Sequence, residues 1–263
     1  MEKRTDWYAH PEYYEAIFDP DTEREIDFLQ GLNGRFGNGG KRWFEPACGA
    51  GRLLEAAAKR GLTVHGSDLS RPMLERARER LTPALRRRVT VAEGAMESYA
   101  PPARLGKFDL AYSLVSTFRY LPTEATALGH LRCVRALLAE GGIYVLGFHL
   151  TDYARQEPER ERWVAHVEKA RGQRDRVVCN TREGLPDPRT RLSPMRNRLR
   201  VTGPGKDWLI ETHWQFRTYD ARQAARLFKK AGLQVKARFD FDYDLTRASP
   251  ARDRLDQIYV LGA

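Results

Sequence analysis

The sequence has few cysteines and no long apolar run. Its three cysteines, Cys48, Cys133 and Cys179, lie far apart, with neither a CxxC pair nor a metal-type spacing. This pattern argues against a disulfide framework or a structural zinc site, and it fits a reducing cytoplasm. No stretch approaches the roughly 18 apolar residues that a membrane-spanning helix needs. The charged, aromatic N-terminus has no apolar signal core, so secretion is not expected.

The composition supports one substantial core and carries an excess of positive charge. Hydrophobic residues make up 41% of the 263 residues, too many for a disordered chain. Lysine and arginine number 45 against 35 aspartates and glutamates, a formal net charge of +10. That balance suits an anionic partner such as a nucleic acid or a phosphorylated metabolite. Most of the excess is arginine, however, and an arginine-rich proteome would give the same total, so nucleic-acid binding stays a minority interpretation.

Between residues 41 and 149 short apolar runs alternate with helical patterns. The predicted strands lie at 41–46, 62–67, 88–92, 108–113 and 142–148. The predicted helices lie at 52–60, 70–81 and 123–139, and Ser70 caps the second of them. Repeated β-α-β units predict an α/β fold, a doubly wound parallel sheet with helices on both faces.

From about residue 151 the apolar period changes from helical spacing to alternation. Four strands are predicted there, at roughly 162–169, 175–182, 195–202 and 207–217. They indicate an antiparallel sheet inserted into the parallel domain, which then resumes with a helix at 220–230 and strands at 233–239 and 257–261. The predicted regions are a helical N-terminal cap at 1–40, a core at 41–150 and 218–263, and the inserted sheet at 151–217.

The turn after the first core strand carries the chemistry. Gly49 and Gly51 lie between that strand and a helix, where a ligand must approach the backbone closely. Dinucleotide-binding sites use a similar glycine-rich turn. The third position of their fingerprint is a Gly or Ala, whereas this chain has Leu54 there. Glu45, at the end of the strand, would repel a pyrophosphate, whereas it suits the cationic amino group of S-adenosylmethionine (SAM).

Asp68, which ends the second strand, is the second anchor. A carboxylate at this position accepts hydrogen bonds from both hydroxyls of a bound ribose in doubly wound folds. The alternative is that Asp68 only begins a turn.

With these motifs the chain, from about Tyr13 to its end, resembles the class I SAM-dependent methyltransferases. The matching segments read EPACGAG, GSDLSRPML, AEGAME, FDLAYSLVSTFRYL, LLAEGGIYVLGF, GLQVKARF and DQIYVLGA. The resemblance implies a Rossmann-like seven-stranded sheet with an antiparallel final strand, and a transferase with SAM as cofactor and S-adenosylhomocysteine as product. The layout is similar to aminosugar N,N-dimethyltransferases and, more loosely, to glycine N-methyltransferase-like enzymes, in which the extra sheet covers the acceptor pocket.

The resemblance also implies a set of cofactor-binding residues. They are Tyr14, Glu45, Ala47, Gly49, Gly51, Asp68, Leu69, Met73, Ala95, Met96 and Ser113. Ala95 departs from the pattern, because many relatives carry there an Asp that binds the adenine amino group; Glu97 or a backbone carbonyl would have to substitute.

The acceptor is expected to be a small molecule methylated on nitrogen or oxygen, and an anionic acceptor is one option. Arg198, in a row with Arg196 and Arg200, would grip a phosphate or carboxylate, unless the row is a solvated outer face. His149, at the end of the fifth strand, is the candidate general base. Arg119, Tyr120 and His213 are further candidates for the acceptor pocket.

Two rival functions stay open. A nucleic-acid methyltransferase, in particular one acting on RNA, would explain the charge, but the segment after the fourth strand reads SLVST and lacks an amino-methylating (D/N/S)PP(Y/F) motif. A catalytically silent SAM-binding protein would keep the cofactor site and close the acceptor pocket. A homodimer is compatible with the sequence, which does not test it.

Overall fold

The computed structural model describes residues 2–4, 6–18, 21–155, 157–248 and 254–263. The helices are α1 (Pro11–Phe18), α2 (Thr22–Phe36), α3 (Arg52–Lys59), α4 (Arg71–Arg80), α5 (Glu124–Leu137) and α6 (Ala221–Lys230). The strands are β1 (Glu2–Arg4), β2 (Arg42–Pro46), β3 (Thr63–Asp68), β4 (Val89–Glu93), β5 (Phe108–Ser113), β6 (Leu138–His149), β7 (Glu159–Glu168), β8 (Arg174–Glu183), β9 (Leu192–Gly203), β10 (Lys206–Arg217), β11 (Gln234–Phe239) and β12 (Asp256–Gly262). None of the helices in the described part of the chain is both long and apolar enough to cross a membrane.

Seven strands form the central sheet, in the order β11-β12-β6-β5-β2-β3-β4. Strands β2 to β6 pair in parallel, and β12 runs antiparallel to both of its neighbours. The predicted α/β fold with an antiparallel final strand is therefore confirmed. Strand β6 starts at Leu138, directly after α5, and is four residues longer at this end than the alternation predicts.

Two apolar clusters hold helices on opposite faces of this sheet. Successive β6 residues alternate between them: Ile143 and Val145 pack in the cluster of α2 and α3, and Tyr144 and Leu146 in the cluster of α5 and α6. A strand buried on both faces reads as a continuous apolar run, as parallel strands do. The same parallel arrangement brings the ends of β2, β3 and β5 to one edge.

A second sheet, in the order β1-β10-β9-β8-β7, covers that edge. Its four antiparallel strands are the ones predicted for the insertion. The fifth, β1, comes from the N-terminus and pairs in parallel with β10, so the expected N-terminal helical cap is only partly helical. The sequence of β1 is too short to show alternation.

Helix α1 is bonded to the added sheet on one side and to helix α4 of the core on the other. The hydroxyl of Tyr13 donates a 2.8 Å hydrogen bond to Asp175 of β8. The carboxylate of Glu15 accepts hydrogen bonds from Arg76 and Arg80 of α4, at 2.9 and 2.8 Å. These bonds fix the side chain between them, Tyr14, at the boundary between the core and the added sheet.

Candidate active site

The glycine turn leaves room beside its backbone. Gly49 and Gly51 have φ of +52° and +74°, which side chains rarely adopt. A Cβ at Gly51 would lie 2.9 Å from Cβ of Ala77, whereas a Cβ at Gly49 would meet nothing within 4 Å. Gly51 therefore allows α3 to pack closely against α4. The open space beside Gly49 allows a ligand to approach the backbone.

Asp68 both shapes the turn and keeps acceptor capacity. Its carboxylate accepts 2.8 Å hydrogen bonds from the backbone amides of Gly49 and Ser70. Burial raises the pKa of Asp68, and these amide bonds partly offset the rise. A carboxylate has about four lone-pair sites, so two remain for ribose hydroxyls, and the two interpretations of Asp68 are compatible.

Glu45 is a buried carboxyl that forms no ion pair with a described residue. It is 9% exposed, and the hydroxyl of Tyr112 donates a 3.0 Å hydrogen bond to it. Burial raises its pKa to about 8. The nearby guanidinium of Arg52 is hydrogen-bonded to Glu25 instead. A cationic group next to Glu45 would remove this mismatch, so the site fits the ammonium of the methionine part of SAM.

Two cavities adjoin at this edge. The smaller, about 60 Å³, is lined by Glu45, Arg52 and Ser113. The buried hydroxyl of Ser113 has no hydrogen-bond partner among the described residues. The larger, about 470 Å³, is lined by Asp68 and Leu69. They share the turn residues and Tyr14, so a ligand as long as SAM can extend from one into the other.

Aromatic rings from three parts of the chain wall the larger cavity, which we call the acceptor chamber. They are Trp7, Tyr8, Tyr14, Phe18, Tyr120, Trp163, Trp214 and Phe216. Trp214 lies between two near-parallel rings, with Tyr120 at 5.8 Å and Trp7 at 5.9 Å between centroids. Such faces attract cations as well as apolar groups.

The unpaired charge that lines the chamber is negative. Arg119 is neutralised by Glu183, with a shortest N–O distance of 2.5 Å. Glu159 is paired with Arg155 at 2.8 Å, whereas Glu161 has no ion pair with a described residue, and burial raises its pKa.

His149 lies on the chamber wall at the end of β6, as predicted. Its Nδ1 is 2.5 Å from a carboxylate oxygen of Asp256 in β12. If Nδ1 carries the proton in this bond, Nε2 is free to accept one. The arrangement is that of a histidine oriented as a general base.

The structure brings most of the predicted site residues together. Those that line a cavity are Tyr14, Glu45, Ala47, Gly49, Asp68, Leu69, Met96, Ser113, Arg119, Tyr120 and His149. Gly51, Met73 and Ala95 line neither cavity; Met73 is 1% exposed and packs in the core.

The expected contact of Arg198 and His213 with the acceptor is corrected by the sheet register. Along β9 and β10 alternate residues face opposite sides. Leu199 and Ile210 face the cluster around Trp7 and Tyr13, which places Arg198 and His213 on the other side. Both bind Glu211 there, at 3.0 and 2.9 Å.

Several chamber residues were missed by the sequence reasoning. Glu159, Glu161, Thr181 and Trp214 share the inner side of the added sheet, and assigning a side to each alternating position would have found them. No such signal existed for Asp256, since only the pairing of β12 with β6 brings it to His149.

Comparison with known proteins supports this description. Residues 44–142 match the family model of a methyltransferase domain, whereas none of the curated proteins matches the sequence. The match shows a methyltransferase domain in the core of this chain and agrees with the predicted transferase.

Solved structures of methyltransferases share the fold. A SAM-dependent methyltransferase from Clostridium acetobutylicum superposes with a TM-score of 0.73 at 17% identity, covering 95% of this chain and 96% of the other. The sugar N-methyltransferase KedS8 from Streptoalloteichus gives 0.73 at 16% identity, over 95% and 92%. The amino pentose methyltransferase CalS10 from Micromonospora echinaspora gives 0.67 at 18% identity, over 92% and 90%.

Proposed function

We propose that this chain, a SAM-dependent methyltransferase by the domain in its core, methylates an amine nitrogen of a small molecule. The observation that carries the proposal is the aromatic and acidic part of the acceptor chamber that lies beyond Asp68 and Leu69; the whole cavity, about 470 Å³, lies in the range of small-ligand pockets and also has to hold the adenosine part of SAM. The part of the cavity walled by Glu161, Trp163 and Trp214, which the cofactor residues do not line, also disfavours a silent SAM-binding protein.

The charges of the chamber favour a cationic acceptor. Glu161 and Glu97 line the chamber and form no ion pair with a described residue, and the guanidinium of Arg119 is already bound to Glu183. An anionic acceptor would meet Glu159 and Glu161, and no described Arg or Lys that lines the chamber is free to compensate. An ammonium group would gain an ionic partner and the ring faces of Trp163 and Trp214.

A protonated amine has to lose its proton before it can attack. SAM supplies an electrophilic methyl group, and transfer to an amine forms an N–C bond, breaks an S–C bond and releases one proton. Nε2 of His149 takes this proton, and the carboxylate of Asp256 stabilises the imidazolium that forms. The stacked rings of Trp7 and Trp214 exclude water and restrict the orientation of the acceptor.

The names of the structural neighbours support an amine as well. KedS8 is described as a sugar N-methyltransferase and CalS10 as an amino pentose methyltransferase. An amine-bearing sugar is therefore the first acceptor class to test.

The experiment uses methyl-labelled SAM and pairs of acceptors that differ only in carrying an amine or a hydroxyl at one position. We expect label on the amine member of at least one aminosugar pair, with the hydroxyl member at least about 100-fold slower, because it presents no ammonium to Glu161. Label in RNA alone, or in the hydroxyl members, would overturn the proposal.

A further inference from the structure

The outer side of the added sheet, turned away from α1, carries aligned basic side chains. Arg160, Arg182, Arg196 and His213 stand directly opposite one another on the neighbouring strands β7, β8, β9 and β10. Directly opposite side chains lie roughly 5 Å apart at Cβ, and like charges there are destabilising. A row of this kind loses stability unless something neutralises it.

The carboxylates of β10 on this side pair with His213 at one end of the row, where Glu211 binds it at 2.9 Å, but they form no ion pair with the three arginines of the row. Asp207 is paired with Arg200 at 3.2 Å, and Glu211 with Arg198 at 3.0 Å. Within the described residues, no ion pair reaches the guanidinium groups of Arg160, Arg162, Arg182 and Arg196. The charge is therefore left for a ligand or for mobile counterions.

The arginines line a concavity and not a flat surface. A groove of about 600 Å³, which we call the arginine groove, runs over this side of the sheet. Six arginines line it: Arg160, Arg162, Arg182, Arg196, Arg198 and Arg200. Glu161 and Thr181, at its margin, also line the acceptor chamber on the other side of the sheet.

We propose that the arginine groove binds a compact anion bearing several phosphate groups, such as a polyphosphate or the phosphate chain of a nucleotide. Guanidinium groups bind phosphate oxygens through paired N–H donors, and a cluster a few ångströms apart matches neighbouring phosphates. Strands β7 to β10 place no Phe, Tyr or Trp on this side, so the stacking surface typical of single-stranded nucleic-acid sites is missing from these described strands.

The alternating sequence Glu159-Arg160-Glu161-Arg162 makes this site separate from the acceptor. In β7 the two carboxylates line the chamber and the two arginines line the groove, and only Glu161 of these four also reaches the margin of the other cavity. One strand therefore gives opposite charge to the two sides of the sheet, and the arginine groove is a second site beyond the proposed methyl transfer.

Calorimetric titration of the full chain with tripolyphosphate tests the proposal. The test variant is R160Q/R182Q/R196Q. The control R87Q/R132Q/R226Q removes the same charge from three exposed arginines elsewhere. We expect salt-sensitive binding that the test variant weakens at least about tenfold and the control by less than about twofold. In the absence of phosphate, the test variant should melt no lower than wild type, because it relieves repulsion across the strands.

Three results would overturn the proposal. One is no tripolyphosphate binding by wild type at low salt. Another is equal weakening in both variants, which would mean a response to net charge alone. The third is a single-stranded oligothymidylate that binds the groove more tightly than tripolyphosphate. SAM titrations of the same variants should be unchanged, which separates this test from that of the methyl transfer.

Discussion

The guanidinium of Arg119 and the carboxylate of Glu183 form a buried ion pair that joins the parallel core to the added sheet. Their side chains are 3% and 11% exposed, and the serine hydroxyl of Ser193 donates a further 2.8 Å bond to Glu183. Burial acts to raise the pKa of Glu183, but Arg119 and this hydroxyl hold it below its usual value. The pair forms part of the wall of the chamber, and a contact of Arg119 with the acceptor stays a prediction.

Replacing Arg119 by Met should destabilise the protein by about 3 kcal/mol, because the buried carboxylate of Glu183 keeps only the hydroxyl of Ser193 and the more distant guanidinium of Arg155 at 3.9 Å. The double variant Arg119→Met/Glu183→Leu should recover much of this loss. Urea unfolding at pH 7 measures both. The exposed pair of Lys230 and Glu124 is the control, and Lys230→Gln should cost less than about 1 kcal/mol. If Arg119→Met is as stable as Lys230→Gln, Arg119 and Glu183 do not form a stabilising buried ion pair.

Glu45→Gln should stabilise the ligand-free protein and abolish its stabilisation by SAM. The folded carboxyl has a pKa of about 8 and the unfolded one about 4.3, so ionisation opposes folding increasingly as pH rises between these values. Glutamine stays neutral, and the gain should reach roughly 3 kcal/mol at pH 7. Chemical unfolding at pH 5 and pH 7 measures it; the same gain at both values would count against the raised pKa.

Because the pKa of Glu45 is raised, we expect the protein to release a proton when SAM binds at pH 7. Free Glu45 is largely protonated there, and an ammonium partner requires the carboxylate. Calorimetry in two buffers with different ionisation enthalpies should therefore detect a loss of up to one proton in wild type and close to none in Glu45→Gln.

Gly49→Ala should weaken SAM binding at least about tenfold while destabilising the fold by only about 1–2 kcal/mol. The matched control is Gly205→Ala. Gly205 also has a left-handed φ, +67°, and open space at its Cβ, but it lies in the turn between β9 and β10. Similar unfolding free energies with unequal SAM affinities are expected; equal affinities would mean that Gly49 does not face the cofactor.

His149→Gln should lower kcat about 100-fold at pH 7 with little change in KM, since proton transfer and not binding is affected. Asp256→Asn should lower kcat in the same direction. At pH 9 to 10 the deficit should shrink, because the acceptor amine is then partly neutral without a base. A deficit that does not change with pH would indicate a structural role for His149.

Local patterns were enough to predict the core. Ser70 caps α4 through its hydroxyl, with a 3.4 Å bond from the amide of Met73, and period-two alternation identified β7 to β10. These signals depend on neighbours within a few residues, so the sequence contains them directly. The repeated β-α-β units predicted the parallel sheet but not the order of its strands, which only the structure gives.

The acceptor chamber could be predicted only in part, because its walls come from distant segments. Trp7 reaches Trp214, and His149 reaches Asp256, through tertiary contacts that no local pattern encodes. The contact of Arg198 with the acceptor was predicted wrongly for a related reason. Alternation shows that Arg196, Arg198 and Arg200 share a side of the sheet, but it does not show which side faces the core. The expected cytoplasmic location and homodimer stay predictions.

The central claim is that the methyl group of SAM is transferred to nitrogen. It is tested most directly by NMR of the product formed from an aminosugar and SAM labelled with ¹³C in its methyl group. The account predicts a new methyl resonance coupled to the carbon that bears the amine, at the shift of an N-methyl group. A resonance at the shift of an O-methyl group would contradict it.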